Sequence, residues 1–200
     1  MEIRLDTLEN GYFYHIFNRG INGCKIFEND DNRLFFLRKA KEYLTSVADI
    51  YAYCLMPNHF HFILRIKDDF SENFAKVSNF DKVETTGLHS EKSIASKQIA
   101  KLISSYTQAF NKYHNRHGSL FERPFKRRRI ENEEYLRKAI VYVHRNVSEL
   151  GEEMERYHFS SYRSIISPSK SSVCKSEVIE IFEDIDNFKW SHNLANDYRF

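Results

Sequence analysis

The sequence predicts an α+β fold: a central antiparallel β-sheet with helices packed on it. Residues 12–17 are rich in aromatic and β-branched residues, and short stretches near 50–55, 59–66 and 125–130 also read as strands. Longer stretches over 32–47, 94–113 and 133–146 repeat their apolar residues at helical spacing. The resulting order is strand, helix, strand, strand, helix, strand, helix. That is the split β-α-β order of a ferredoxin-like sandwich.

The first strand spans Tyr12 to Phe17, and Asn18-Arg19-Gly20-Ile21-Asn22-Gly23 is a turn cluster. Asp30 or Asp31 is a candidate cap for a helix from Asn32 to Val47. Its expected apolar stripe is Leu34, Phe35, Leu37, Ala40, Tyr43 and Leu44. Ile50–Leu55 and His59–Ile66 are strands joined across Pro57-Asn58, so they must be antiparallel. Residues 68–93 are polar, lack a period and read as an irregular excursion. Ile94 to Tyr113 is an amphipathic helix, closed by a left-handed Gly118. Phe125–Ile130 is a fourth strand, with Lys126 and Arg128 on one side and Arg127 and Arg129 on the other. Asn132 caps the helix that follows, with Glu133 and Glu134 at its positive end. Residues 1–165 form the domain and 166–200 a C-terminal extension, which serves packing or partner contact.

Two hundred residues with 42% hydrophobic content support a real core and exclude wholesale disorder. No apolar run approaches the roughly 20 residues of a membrane span, and the N-terminus has no apolar stretch of signal-peptide type. Cys24, Cys54 and Cys174 are far apart and read as reduced thiols of a cytoplasmic protein, with Cys54 in the core. The formal net charge of +2 hides a segregation. Lys92, Lys97, Lys101, Lys112, Arg116, Arg123, Lys126, Arg127, Arg128 and Arg129 crowd the middle of the chain, and acidic residues dominate beyond Gly151. A basic middle points to a polyanionic partner held by phosphate contacts. Solvated surface charge is the plainer alternative.

The most informative residues are His59-Phe60-His61, in the run Met56-Pro57-Asn58-His59-Phe60-His61-Phe62-Ile63-Leu64. On a strand the two imidazoles point the same way, while Phe60, Phe62 and Leu64 point to the opposite face and into a core. Two rings side by side make half of a divalent-metal site. Across proteins at large such a pair is more often packing than a ligand pair, so the spacing alone decides nothing.

The surrounding motifs do more. Tyr14-His15-Ile16-Phe17-Asn18-Arg19-Gly20, Met56-Pro57-Asn58-His59-Phe60-His61, Gly118 to Lys126 and Glu134 to Val147 stand in the order found in His-hydrophobic-His (HUH) nucleases. In particular the chain resembles the single-tyrosine transposases of the IS200/IS605 and REP-associated type, over residues 10–165. The resemblance implies the ferredoxin-like fold and a metal-dependent single-stranded DNA transposase or endonuclease. It would cleave and rejoin strands through a 5′-phosphotyrosine.

The family's nucleophile matches Tyr142, and the polar residue four positions on, which completes the metal site, matches Asn146. At i and i+4 the two share one helix face. Tyr135 is a rival on the same helix but has Ala139 at i+4. Val147 stands where the family often has Pro, which touches the helix end rather than the reacting groups. His59, His61 and Asn146 would bind Mg²⁺ or Mn²⁺, the latter tolerating nitrogen ligands better. Arg123, Lys126, Arg127, Arg128, Arg129 and Arg145 are the candidate DNA-binding residues, and His144 stands beside them. Phe121, Phe125 and Tyr113 are either stacking surfaces for unpaired bases or core, and Tyr106 reads as core. The expected partners are hairpin-bearing single-stranded DNA and a second copy of the chain. A domesticated hairpin-binding nuclease, a non-cleaving DNA-binding protein and a relaxase or rolling-circle initiator are the competing readings.

Overall fold

A computed structural model of the chain describes residues 7–69 and 91–194. Four strands form one antiparallel sheet: β1 (Phe13–Arg19), β2 (Ala48–Met56), β3 (His59–Ile66) and β4 (Lys126–Ile130). Their order across the sheet, β2-β3-β1-β4, is what the split β-α-β connection produces. The α+β, ferredoxin-like expectation therefore holds. The excursion expected over 68–93 falls mostly outside the described residues.

Helix α1 (Asp30–Leu44) and helix α2 (Glu91–Tyr113) cover one face of the sheet. The cap of α1 is Asn29, whose side chain accepts from the Asn32 amide, and not Asp30 or Asp31. Both aspartates lie in the first turn, where the helix dipole favours them. The buried row is Phe36, Ala40 and Leu44, at i, i+4 and i+8. Leu34, expected in the stripe, is 56% exposed. Phe36 is the hub instead, 5.0 Å from the Phe60 ring, 5.2 Å from Phe27 and 5.0 Å from Tyr106. Phe60, Phe62 and Leu64 are all buried, as their alternation along β3 requires. Tyr106 is core and Tyr113 is 76% exposed, so only one of that pair packs inside. Helix α2 ends with a left-handed Asn115 at φ 48°, ahead of the left-handed Gly118.

Helix α3 (Glu133–Arg145) lies on the opposite face, against β2 and β3. Asn132 caps it by accepting from the Tyr135 amide at 2.8 Å. A 3₁₀ turn, Asn146–Leu150, continues it. The remaining chain forms α4 (Ser161–Ile166), α5 (Lys175–Ile181) and α6 (Ile185–Asn193). It wraps the outer edge of β2: the Leu55 amide donates to Phe159 O and the Cys174 amide to Ile50 O, both at 2.9 Å. An edge that would otherwise offer unpaired backbone groups is thereby closed. Among the described residues no helix is long and apolar enough to cross a membrane.

Candidate metal and nucleic-acid site

The register of the sheet builds the site. Directly opposed residues of antiparallel strands share a face. Arg19 opposes His59, Phe17 opposes both His61 and Lys126, and His15 opposes both Ile63 and Arg128. His15, Phe17, Arg19, His59, His61, Lys126 and Arg128 therefore stand on the face that α3 covers.

The two expected histidines do converge. Their ring centroids are 5.1 Å apart and the rings are perpendicular. His59 Nδ1 lies 2.7 Å from Asn58 Oδ1, so its protonated nitrogen is engaged there and Nε2 remains. The tight turn fixes this strand start: the Gly20 amide donates to Asn58 O at 2.8 Å, and the Ile26 and Phe27 amides donate to Pro57 O. Only glycine fits at position 20, because a Cβ there would meet Cys24 O at 2.1 Å. His61 is buried and its Nδ1 lies 2.7 Å from His15 Nε2.

Helix α3 brings Tyr142 and Asn146 to the same place. The Tyr142 ring stands edge-on to His61 at 5.7 Å and to His15 at 5.9 Å. The residue is half-buried. Asn146 is buried, and its Nδ2 donates to Tyr142 O at 2.8 Å. Its side chain is also hydrogen-bonded to both His59 and Tyr142. All four expected residues thus meet within a single chain.

The fold of this chain has a counterpart among solved structures. A REP-associated tyrosine transposase bound to a REP hairpin superposes with a TM-score of 0.52 at 15% sequence identity, covering 84% of this chain and 86% of that one. The likeness is one of fold. A bacterial tRNA(His) guanylyltransferase (Thg1)-like protein, solved with GTP and with ATP, is more distant. Its TM-scores are 0.44 and 0.42 at 12% identity, covering 73% and 76% of this chain and 67% and 70% of those chains. No family model and no curated protein sequence matches.

Burial dominates the electrostatics. It pushes the His59 and His61 pKa values below the ordinary histidine range, and His15 down to about 3 with help from the Arg128 charge. The rings are neutral at pH 7, the state in which imidazole ligates metal. Burial raises the Tyr142 pKa, and its hydrogen bond with Asn146 opposes that shift.

Among the described residues no group of three or more His, Cys, Asp and Glu side chains is arranged to hold a metal ion. The donor set is instead two imidazoles and an amide. His61 engages Nδ1 with His15, His59 engages Nδ1 with Asn58, and His59 and Asn146 are hydrogen-bonded to each other, so the three side chains adjoin one another. That set suits a divalent cation with positions left for phosphate oxygens, and its nitrogen content suits Mn²⁺ better than Mg²⁺.

The basic residues divide. Lys126 lies 5.9 Å from the Phe17 centroid and pairs with Glu122 at 3.3 Å, and Arg128 lies 5.3 Å from the Tyr135 centroid, both on the histidine face. Arg127 donates to Ser96 Oγ at 2.7 Å and Arg129 pairs with Glu9 at 3.0 Å, on the other face. Arg123 precedes a cis proline in the loop before β4. Arg145 is tied to the Leu194 carbonyl.

His144, read from sequence as either a DNA contact or part of a solvated helix end, is fully buried. Its Nε2 lies 2.7 Å from Ser161 Oγ and its Nδ1 2.8 Å from His192 Nε2. His192 Nδ1 in turn donates to Phe188 O at 2.7 Å. Phe121 is core, whereas Phe125 is half-buried beside Arg127. His15 had no role assigned from sequence. Its signal was the alternation Phe13-His15-Phe17, which puts an imidazole on a strand between two aromatic rings.

Proposed function

We propose that this chain is a metal-dependent, single-stranded DNA endonuclease and strand-transfer enzyme of the single-tyrosine transposase type. The observation that carries this reading is the convergence of Tyr142 and Asn146, one turn apart on α3, with His59 and His61 on β3. The likeness in fold to a transposase solved bound to a hairpin supports a nucleic-acid partner.

The chemistry follows from the residues. A divalent cation held by His59, His61 and Asn146 would withdraw charge from the scissile phosphate. Lys126 and Arg128 hold the neighbouring phosphates by charge. Tyr142 Oη attacks phosphorus, forming a tyrosyl–phosphate bond as the bond from phosphorus to the 3′ oxygen breaks. The phenolic proton is lost and the departing oxygen gains one, leaving a 5′-phosphotyrosine and a free 3′-hydroxyl. The phosphodiester count is unchanged, so an incoming 3′-hydroxyl can reverse the step and join strands.

The chain supplies its own tyrosine to its own histidine pair. That placement supports a site completed in cis.

The test is a covalent adduct. Incubation with hairpin-bearing single-stranded DNA and Mn²⁺ should give a protein–DNA species resistant to denaturing gel electrophoresis. Tyr142→Phe should abolish it while leaving DNA binding intact. Binding without any wild-type adduct would favour a hairpin-binding protein that does not cleave. Adduct persisting in Tyr142→Phe would reassign the nucleophile.

A further inference from the structure

His15 and His61 are not directly opposed across β1 and β3; the partner of His15 in the register is Ile63 and that of His61 is Phe17. They meet diagonally, a distance that long flat side chains bridge. Their rings are nearly parallel, 5.0 Å apart and inclined at 20°. Phe17 stacks on both, 4.7 Å from His15 and 5.7 Å from His61. Tyr142 stands edge-on to both. Neither ring is free to turn.

An imidazole binds a cation through one nitrogen only if its proton sits on the other. His59 meets that condition through Asn58 Oδ1. His61 has no carboxylate or amide at Nδ1; it has His15 Nε2 at 2.7 Å. Two proton arrangements satisfy that contact. If His15 donates, His61 keeps its proton on Nε2 and cannot act as a ligand. If His15 accepts, His61 Nδ1–H donates and the Nε2 lone pair is directed to the site.

We propose that His15 is a positioning residue that accepts the Nδ1–H of His61 and so holds His61 in the tautomer whose Nε2 binds the metal. His15 does not touch the metal or the DNA in this role. It replaces the carbonyl or carboxylate that supports a metal-ligating histidine elsewhere. The role rests on the metal-site reading above and deepens it.

Two measurements on the full chain test it. The first is a long-range ¹H–¹⁵N correlation spectrum of the metal-free protein, with the His61 signals assigned through His61→Gln. It should show His61 protonated at Nδ1; protonation at Nε2 overturns the proposal. The second is Mn²⁺ affinity by calorimetry. His15→Leu removes the acceptor and should weaken binding about ten- to hundredfold. His15→Gln keeps a carbonyl oxygen near the same place and should stay within about threefold of wild type. Undiminished Mn²⁺ affinity in His15→Leu overturns the proposal, as does a loss in His15→Gln equal to that in His15→Leu. Wild-type protein that binds no Mn²⁺ would defeat the metal-site reading instead. The tautomer spectrum would still decide the His15–His61 relationship, since it needs no metal.

Discussion

Asn146 donates its amide N–H to the main-chain carbonyl of Tyr142, 2.8 Å away and one turn back on the same helix. The bond fixes which way the amide faces, leaving its oxygen toward His59. It also gives a second donor to a carbonyl that already accepts the main-chain N–H of Asn146. Asn146→Ala should therefore do two things. It should weaken Mn²⁺ binding about tenfold or more, read by calorimetry, because a ligand is lost. It should lower unfolding free energy by about 1–3 kcal/mol, read by urea titration, because the hydrogen bonds of a buried amide to the Tyr142 carbonyl, His59 and the Tyr142 side chain go.

The basic strand gives a sharper contrast. Lys126 and Arg128 share the histidine face, whereas Arg127 and Arg129 face away and are engaged with Ser96 and Glu9. Replacing Lys126 and Arg128 together by Ala should weaken single-stranded DNA binding and flatten the salt dependence by about two counterions, measured by fluorescence anisotropy across ionic strength. The Arg127→Ala, Arg129→Ala pair should leave that slope close to wild type.

The buried chain Ser161, His144, His192 sets a pH limit on stability. It links β2, α3 and α6 through neutral rings. Burial holds His144 well below the usual histidine range, with the neighbouring His192 adding to the shift, and holds His192 at about 4 against an ordinary 6.5. Folded protein therefore binds fewer protons than unfolded chain in this interval, and stability rises with pH across it. It should be complete above pH about 6.5 and drain away as pH falls toward about 4, where His192 takes up its proton, while His15, at about 3, continues the loss below that. Urea midpoints at pH 7.5, 6 and 5 should fall in that order.

Ser161→Ala strips the same chain of its first member. His144 Nε2 loses its donor and the Tyr53 amide loses its acceptor. Unsatisfied groups at a fully buried position should cost about 1–3 kcal/mol, read as a lower urea midpoint at pH 7.5.

Phe36 is the hub of the opposite layer. It touches Phe27, Phe60, Phe62 and Tyr106 and has no exposed surface. Phe36→Ala should cost about 3–5 kcal/mol by leaving a cavity among rings held on three separate elements. Leu34→Ala, two residues away and exposed, should change the midpoint little.

Phe36 and Leu34 also mark how far sequence reasoning reaches. Both lie in a helix whose existence is plain, but the stripe was phased so as to leave Phe36 out and admit Leu34. Helical period is robust, whereas its phase depends on where the sheet lies. Tyr106 and Tyr113, seven residues apart on α2, also differ: the first is buried and the second is exposed. His144 shows the reverse error. A histidine near a helix end looks solvated in one dimension, and only the return of α6 supplies the second imidazole that buries it.

Local chemistry wrote the alternation of β3, the caps at Asn132 and the Pro57-Asn58 turn, and with them the common direction of His59 and His61 and the shared face of Tyr142 and Asn146. Those are short-range consequences of strand and helix periods, so they are legible in the chain itself. The approach of α3 to β3, the diagonal meeting of His15 with His61 and the sorting of Lys126 and Arg128 from Arg127 and Arg129 onto the site's face depend on strand order and register. Register is settled by long-range packing of a whole sheet face, and no local stretch of sequence contains it.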